Sequence, residues 1–321
     1  MRSTSIKKWT LVGFLSFVLL LPGLAAAQGA FGRIVVFGTS LSDPGNDFAM
    51  RGIQNVPPYD TLDPLLIPDA PYAKGGHHVS NGATWIEQFA RTQGLAGNTR
   101  PAYQGPGTKA SNYAVKGARA RDDLHNINLS AQVEKFLSDF NGSAPSDALY
   151  VLEFGGNDIR DAFEAFASGG DGSPIIADAL TAIGQNIGAL YGAGARKFLV
   201  WSAPNPGLTP AIRIVDSFNP GAAQLAGLLT QVFNTNLDAV IASLAGLPVE
   251  IKRLDVFTKL NYIVSNPGEF GLVVVDKACV TPNIPPFECQ NPDEYLFWDG
   301  IHPTKAVHGI IAQEAASVMA Q

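Results

Sequence analysis

A carboxylate and an imidazole three positions apart, Asp299 and His302 in Asp299-Gly300-Ile301-His302-Pro303, stand far along a chain whose first apolar run leads into Phe37-Gly38-Thr39-Ser40-Leu41-Ser42. A serine hydroxyl is a weak nucleophile until a base takes its proton and a third group orients that base. His302 is the candidate base for Ser40. Asp299 can accept from the other ring nitrogen, fixing the tautomer and stabilising the imidazolium that forms. Each residue also has a plainer reading: Ser40 as a helix N-cap, His302 as a loop histidine before Pro303, Asp299 as a turn residue beside Gly300. Their co-occurrence is what points to acyl transfer through a serine.

Negative charge developing on a carbonyl oxygen needs preorganised donors, each worth about 3 kcal/mol of barrier. Two glycine-rich turns follow apolar runs and offer them. Asn112-Tyr113-Ala114-Val115-Lys116-Gly117-Ala118 brings the Gly117 backbone N–H, and Leu152-Glu153-Phe154-Gly155-Gly156-Asn157-Asp158 brings the Asn157 side-chain amide. With the Ser40 N–H they make three candidate oxyanion donors; ordinary turn chemistry is the alternative.

The elements that must position these groups follow from the hydrophobic pattern. Short apolar runs at Ile34–Phe37, Asn112–Val115, Ala148–Leu152, Phe198–Trp201 and Val249–Leu254 read as strands buried on both faces of a parallel sheet. Amphipathic stretches at Thr84–Arg91, Leu129–Asp139, Ile175–Tyr191 and Ala222–Leu244, with a last one at about Thr304–Met319, read as helices. Alternation of the two predicts an α/β fold, a three-layer α/β/α arrangement around a doubly wound parallel five-stranded sheet. Ser40 then lies at the carboxyl edge of the sheet and begins a helix, where open α/β sheets bind ligands. The interval from about 44 to 109 is rich in Pro and Gly and too long for an ordinary crossing. It reads as an insertion over the site with one helix near Trp85, either contributing substrate contacts or forming a rigid cap. Tyr59, Tyr72, Trp85, Phe89 and Tyr103 could floor an acyl or aryl groove there or form the insertion's own core.

Four blocks in order, Phe37–Asn46, Asn112–Ala118, Gly155–Asp158 and Asp299–Pro303, resemble those of the SGNH hydrolases, the GDSL esterase/lipase superfamily. Ser80–Glu87 and Tyr295–Asp299 are similar to segments of its exported, hemolysin- and phospholipase-like branch. The resemblance spans nearly all of the chain after its first 27 residues. It implies a flavodoxin-like five-stranded sheet, a shallow adaptable site, and a serine esterase/lipase with Ser40, His302 and Asp299 as triad and Ser40, Gly117 and Asn157 as oxyanion hole. Gly82 competes for the oxyanion role; Gly117 is preferred because it directly follows a strand. One residue departs from the pattern: the family's usual Asp before the nucleophile is Thr39 here, at a position that supports the turn and does not react.

Composition bounds the rest. Arg2, Lys7 and Lys8 precede an apolar run from Leu11 to Leu21 that closes on Ala25-Ala26-Ala27, the pattern of a secretory signal peptide over 1–27. The run is too short for a permanent anchor, and no later stretch offers ~20 uninterrupted apolar residues. Without the leader, Lys+Arg falls from 22 to 19 against 28 Asp+Glu and the formal charge from −6 to −9, which disfavours nucleic acid or an anionic membrane as partner. About 290 residues suit a single domain, 28–321, expected to be a monomer, exported to the periplasm or secreted. The chain closes soon after the last block, so no outer-membrane barrel is expected. Cys279 and Cys289 are the only cysteines, and an oxidising destination favours a disulfide between them over two free thiols.

Three rivals share the residues. A metallohydrolase could draw on Asp43, Asp158, Asp299 and His302, but His77-His78 is adjacent and reads as surface loop, His125 and His308 as solvent-facing or packing residues, and no pair has ligand spacing. No metal or cofactor is therefore expected. A non-catalytic binding protein could keep the fold, and an acyltransferase or lysophospholipase could use the same triad on a different acceptor or a lipid ester.

Overall fold

Four apolar runs become parallel strands hydrogen-bonded in sequence order: β1 (Arg33–Gly38), β2 (Ala148–Glu153), β3 (Lys197–Trp201) and β4 (Glu250–Leu254). The structure, a computed structural model, describes residue 1 and residues 31–105 and 109–321; apart from Met1 the expected leader lies outside the described residues. The helices in chain order are α1 (Asn46–Arg51), α2 (Trp85–Thr92), α3 (Leu129–Asp139), α4 (Gly156–Ala167), α5 (Ser173–Ala193), α6 (Pro210–Phe218), α7 (Ala222–Ser243), α8 (Val256–Ser265) and α9 (Lys305–Ala320). A separate two-stranded parallel pair, β5 (Val274–Ala278) and β6 (Tyr295–Phe297), precedes α9.

In β1, β2 and β3 side chains alternate between two cores, which is why those runs are almost continuously apolar; β4, at the sheet edge, carries Glu250, Lys252 and Arg253. Val35, Phe37, Tyr150, Leu152, Phe198 and Val200 face α3, α4, α5 and α7. Ile34, Val36, Leu149, Val151, Leu199 and Trp201 face α2, α8 and α9. Ile34 through Phe37 are wholly buried, each roughly 1.5–3 kcal/mol of transfer free energy, so the strand leading to Ser40 is firmly seated. Helices cover both faces, giving three layers, α/β/α.

The expected second strand is only partly formed. Ser111–Val115 runs parallel to the free edge of β1, with Val36 N–H donating to Ser111 O (2.9 Å), Tyr113 N–H to Val36 O (2.8 Å) and Val115 N–H to Gly38 O (3.1 Å). One side chain breaks the ladder: Gln132 Oε1 takes the Gly38 N–H at 2.9 Å, while Asn112 Oδ1 takes the Ala114 N–H, which faces away from β1, at 3.0 Å. A side-chain acceptor thus competes with the sheet, and the regular sheet has four strands with an irregular fifth segment at its edge. The chain leaves β1 to one side for this segment and returns on the other side as β2, so the switch point lies at the carboxyl end of β1.

The interval 44–109 holds two α-helices, not one. Ser40 does not begin a helix either. Asp43 Oδ1 accepts the N–H groups of Gly45 (2.8 Å) and Asn46 (2.6 Å), and Gly45 has φ 111°, so α1 starts only at Asn46. Of the five aromatics expected to floor a groove or fill a core, Tyr59 and Tyr72 pack with Trp298 and the disulfide loop. Trp85 and Phe89 belong to the α2/α9 core, and Tyr103 packs against the opposite one.

Candidate functional site

Ser40 lies two residues past β1, in a tight turn closed by Ser42 N–H donating to Thr39 O at 3.1 Å. Across 262 positions of sequence, His302 Nε2 stands 2.9 Å from Ser40 Oγ. His302 Nδ1 is 2.8 Å from Asp299 Oδ2 and 3.0 Å from Oδ1. A carboxylate only accepts, so the Nδ1 proton belongs on that bond, leaving the Nε2 lone pair to take the Ser40 hydroxyl proton.

The acid–base loop gets its shape from Asp299 itself, whose Oδ1 also accepts the N–H groups of Ile301 (2.9 Å) and His302 (2.8 Å). Tyr72 donates its hydroxyl to Asp299 Oδ2 at 2.9 Å. Burial, and then the Asp299 charge, hold that phenol well above its usual range, so it remains a donor. Gly300 N–H donates to Leu66 O (2.8 Å), and Gly300 O accepts from Ala211 N–H (2.9 Å) at the start of α6. A Cβ on Gly300 would come within 2.0 Å of Leu65 O, so only glycine lets the insertion approach this closely. Asp299 and His302 are buried, and Ser40 is 9% exposed.

The Cys279–Cys289 disulfide is formed. Cys279 N–H and Val280 N–H both donate to Trp298 O, at 3.1 and 2.9 Å, so the bridged loop is fastened to the residue before Asp299.

Ser40 and His302 open on a cavity of about 210 Å³, whose walls include Leu65 and Ile67 of the insertion, Phe163 of α4 and Ile212 and Val215 of α6. Asn157, in the first turn of α4, lines it too. Its Nδ2 donates to Ala118 O at 2.8 Å, which ties α4 to the turn carrying Gly117. Gly117 itself, at φ 82°, is not among the lining residues. Gly82 packs against the Lys305 side chain at the head of α9 and does not line the cavity. Ser40, His302, Asp299 and Asn157 thus meet at one place, with Gly117 on the adjoining turn. None of Tyr59, Tyr72, Trp85, Phe89 or Tyr103 lines the cavity.

The remaining acids and histidines have other duties. Asp43 accepts backbone N–H groups from Gly45, Asn46, Asp47 and Lys116, and Asp158 from Ala120 and Arg121. Burial lifts both carboxyls to about 6, opposed by those N–H groups. Among the described residues no group of three or more His, Cys, Asp or Glu side chains is disposed to hold a metal ion. His78 departs from the surface-loop expectation: it is buried, 2.8 Å from Glu87, while His77 stacks on Phe48. His308 is a buried packing residue, its pKa pushed down to about 3 by desolvation.

Two participants escaped the sequence reading. Tyr72 is one of many aromatics in a proline-rich stretch and carries no local signal of its contact with Asp299. Glu153 lines the cavity beside Ser40; its signal, a lone acid ending the buried run Ala148–Glu153, was available.

The model of the GDSL-like lipase/acylhydrolase family matches residues 34–315. Among curated proteins, the GDSL esterase/lipase APG of Arabidopsis thaliana is 27% identical over 347 residues, covering 92% of this chain and 95% of its own. A second GDSL esterase/lipase of that plant is 26% identical over 318 residues, covering 88% and 84%. Among solved structures, a lipolytic protein of the G-D-S-L family from Veillonella parvula superposes with TM-score 0.42 at 14% identity, covering 90% of this chain and 98% of that one. An extracellular lipase from Streptomyces rimosus gives TM-score 0.40 at 16% identity, covering 89% and 99%. Among the described residues no helix is long and apolar enough to cross a membrane.

Proposed function

Because this chain belongs to the GDSL-like lipase/acylhydrolase family, and at that level is a hydrolase of esters, we propose that it is a serine esterase working through Ser40, His302 and Asp299. The observation that carries this reading is the continuous relay from Ser40 Oγ to His302 Nε2 (2.9 Å) and from His302 Nδ1 to Asp299 Oδ2 (2.8 Å) at the mouth of an apolar cavity.

In the proposed cycle, Ser40 Oγ attacks the ester carbonyl as His302 Nε2 takes its proton. The tetrahedral oxyanion is held by the Ser40 N–H, the Asn157 amide and the Gly117 N–H. His302 then returns the proton to the leaving alcohol, and water repeats the sequence on the acyl-enzyme. The steps balance without a metal or organic cofactor. Walls of Leu65, Ile67, Phe163, Ile212 and Val215 suit the acyl part of a small-molecule or lipid ester. We propose further that residues 28–321 act as one catalytic unit, a monomer, and that 1–27 direct its export; the Cys279–Cys289 bridge favours an oxidising compartment.

Replacing Ser40 with Ala tests the reading. Hydrolysis of p-nitrophenyl esters is expected to vanish while the circular dichroism spectrum stays unchanged. An undiminished rate in that variant removes Ser40 from the chemistry.

A further inference from the structure

We propose that Glu153 is a positioning residue for catalysis, a buried carboxyl that grips Thr39 by its N–H and its hydroxyl and thereby fixes the aim of Ser40. The inference rests on Ser40 being the nucleophile. Glu153 closes β2 directly opposite Gly38, the last residue of β1, and is 1% exposed. Its Oε2 accepts the Thr39 N–H at 2.8 Å, and its Oε1 accepts the Thr39 hydroxyl at 2.9 Å. The Ser42 hydroxyl accepts from Trp85 Nε1–H at 3.0 Å and helps hold the pKa of the same carboxyl down. Ser40 therefore directly follows a residue held twice by one side chain of the neighbouring strand. Gly38 makes room for it: a Cβ there would stand 2.9 Å from Glu153 Oε2.

The Thr39 N–H needs an acceptor oxygen on Glu153 in either protonation state, whereas the Thr39 hydroxyl accepts from the neutral acid and donates to the ionised one. Among the described residues no ion pair reaches Glu153. Burial pushes its carboxyl up to about 8, against the pull of the Thr39 N–H, the Thr39 hydroxyl and the Ser42 hydroxyl. The other titratable groups on the packed loops are His302, bonded to Ser40; Asp43 and Asp158, engaged with backbone N–H groups; and Lys116, whose ammonium is disfavoured by burial. Ionisation of Glu153 with rising pH turns both Thr39 contacts into charge-assisted bonds to a carboxylate, and activity should climb through about pH 8.

The test compares wild type, Glu153→Gln and Ser40→Ala in ester hydrolysis and in labelling by a fluorophosphonate. Glu153→Gln keeps the shape but cannot accept every donor, so kcat and the labelling rate should fall about tenfold with KM little changed, the result of a small misplacement of the attacking oxygen. Its rise in rate near pH 8 should disappear. A second pair keeps the inference falsifiable if that variant is unstable. Thr39→Asp sets two carboxylates against each other and should be far less active than wild type, and adding Glu153→Gln should restore part of the loss. Wild-type kcat, labelling and pH profile in Glu153→Gln overturn the inference, as does a lower kcat with the alkaline rise intact, which marks a merely structural residue. Failure of the underlying reading looks different: Ser40→Ala would then retain activity.

Discussion

The two halves of the proposed relay are held in different ways. The nucleophile turn hangs from the sheet itself: Ser40 follows a buried strand, and the preceding Thr39 is gripped by Glu153 on the next strand. The acid–base loop has no strand of the main sheet beneath it. It is held by borrowed contacts: Tyr72 and Leu66 from the insertion, Ala211 from α6, and the disulfide loop through Trp298. Rigid parallel strands give one reacting group a fixed position, and the other depends on how well the covering segments pack. Changes to the Tyr72 and Leu66 contacts should therefore act on the base and leave the nucleophile turn intact.

The largest expected effect comes from the relay. Asp299→Asn should lower kcat by about 10⁴-fold by favouring the wrong imidazole tautomer, which steady-state kinetics near neutral pH would read. Asn157→Ala should cost about 10²–10³ in kcat by removing one oxyanion donor. Gly117 is off the cavity wall, so a substitution there should matter less; an equal or larger loss would shift the oxyanion role toward that turn. Tyr72→Phe removes a single donor to Asp299 and should reduce kcat about three- to tenfold, with the Glu153-dependent alkaline rise preserved. Loss of that rise in Tyr72→Phe would mean the two supports are not separate. Replacing both cysteines with Ser should destabilise by about 2–3 kcal/mol in denaturant titration, with a smaller loss of kcat than Asp299→Asn.

A further effect concerns stability against pH. A carboxyl raised in the folded state binds more protons there than in the unfolded chain, so its contribution to stability is present at low pH and lost as pH rises toward the folded value. For Glu153 that window runs from its ordinary 4.5 to about 8. Melting curves of Glu153→Gln should therefore gain on wild type as pH is raised from about 5 to 8. A constant difference across that range would show that Glu153 titrates normally.

Much of this was legible in the residues. Continuous apolar runs located β1, β2 and β3 because both of their faces are buried, β4 at the sheet edge carries Glu250, Lys252 and Arg253, and Leu129–Asp139 was read with its observed bounds because its apolar stripe is regular. The grouping of Ser40, His302 and Asp299 was expected from residue type, and the structure brings their side chains within hydrogen-bond reach of one another. The fifth strand is irregular, which its apolar pattern does not reveal, because Gln132 takes the Gly38 N–H that would have joined the ladder. Helix α6 was missed because nine residues opening on Pro210 and carrying Arg213 and Asp216 show no long stripe. Its place is set by Thr209 capping the Ile212 N–H and by the Ala211 bond to Gly300. The contacts of Tyr72 and Glu153 span 227 and 114 positions of sequence, and pairings that distant leave no periodicity to read.

Mass-spectrometric mapping of a fluorophosphonate adduct addresses the central claim most directly. The relay predicts one adduct, on Ser40, formed by wild type and abolished in His302→Ala. An adduct on another residue, or full labelling of Ser40 without His302, would contradict it.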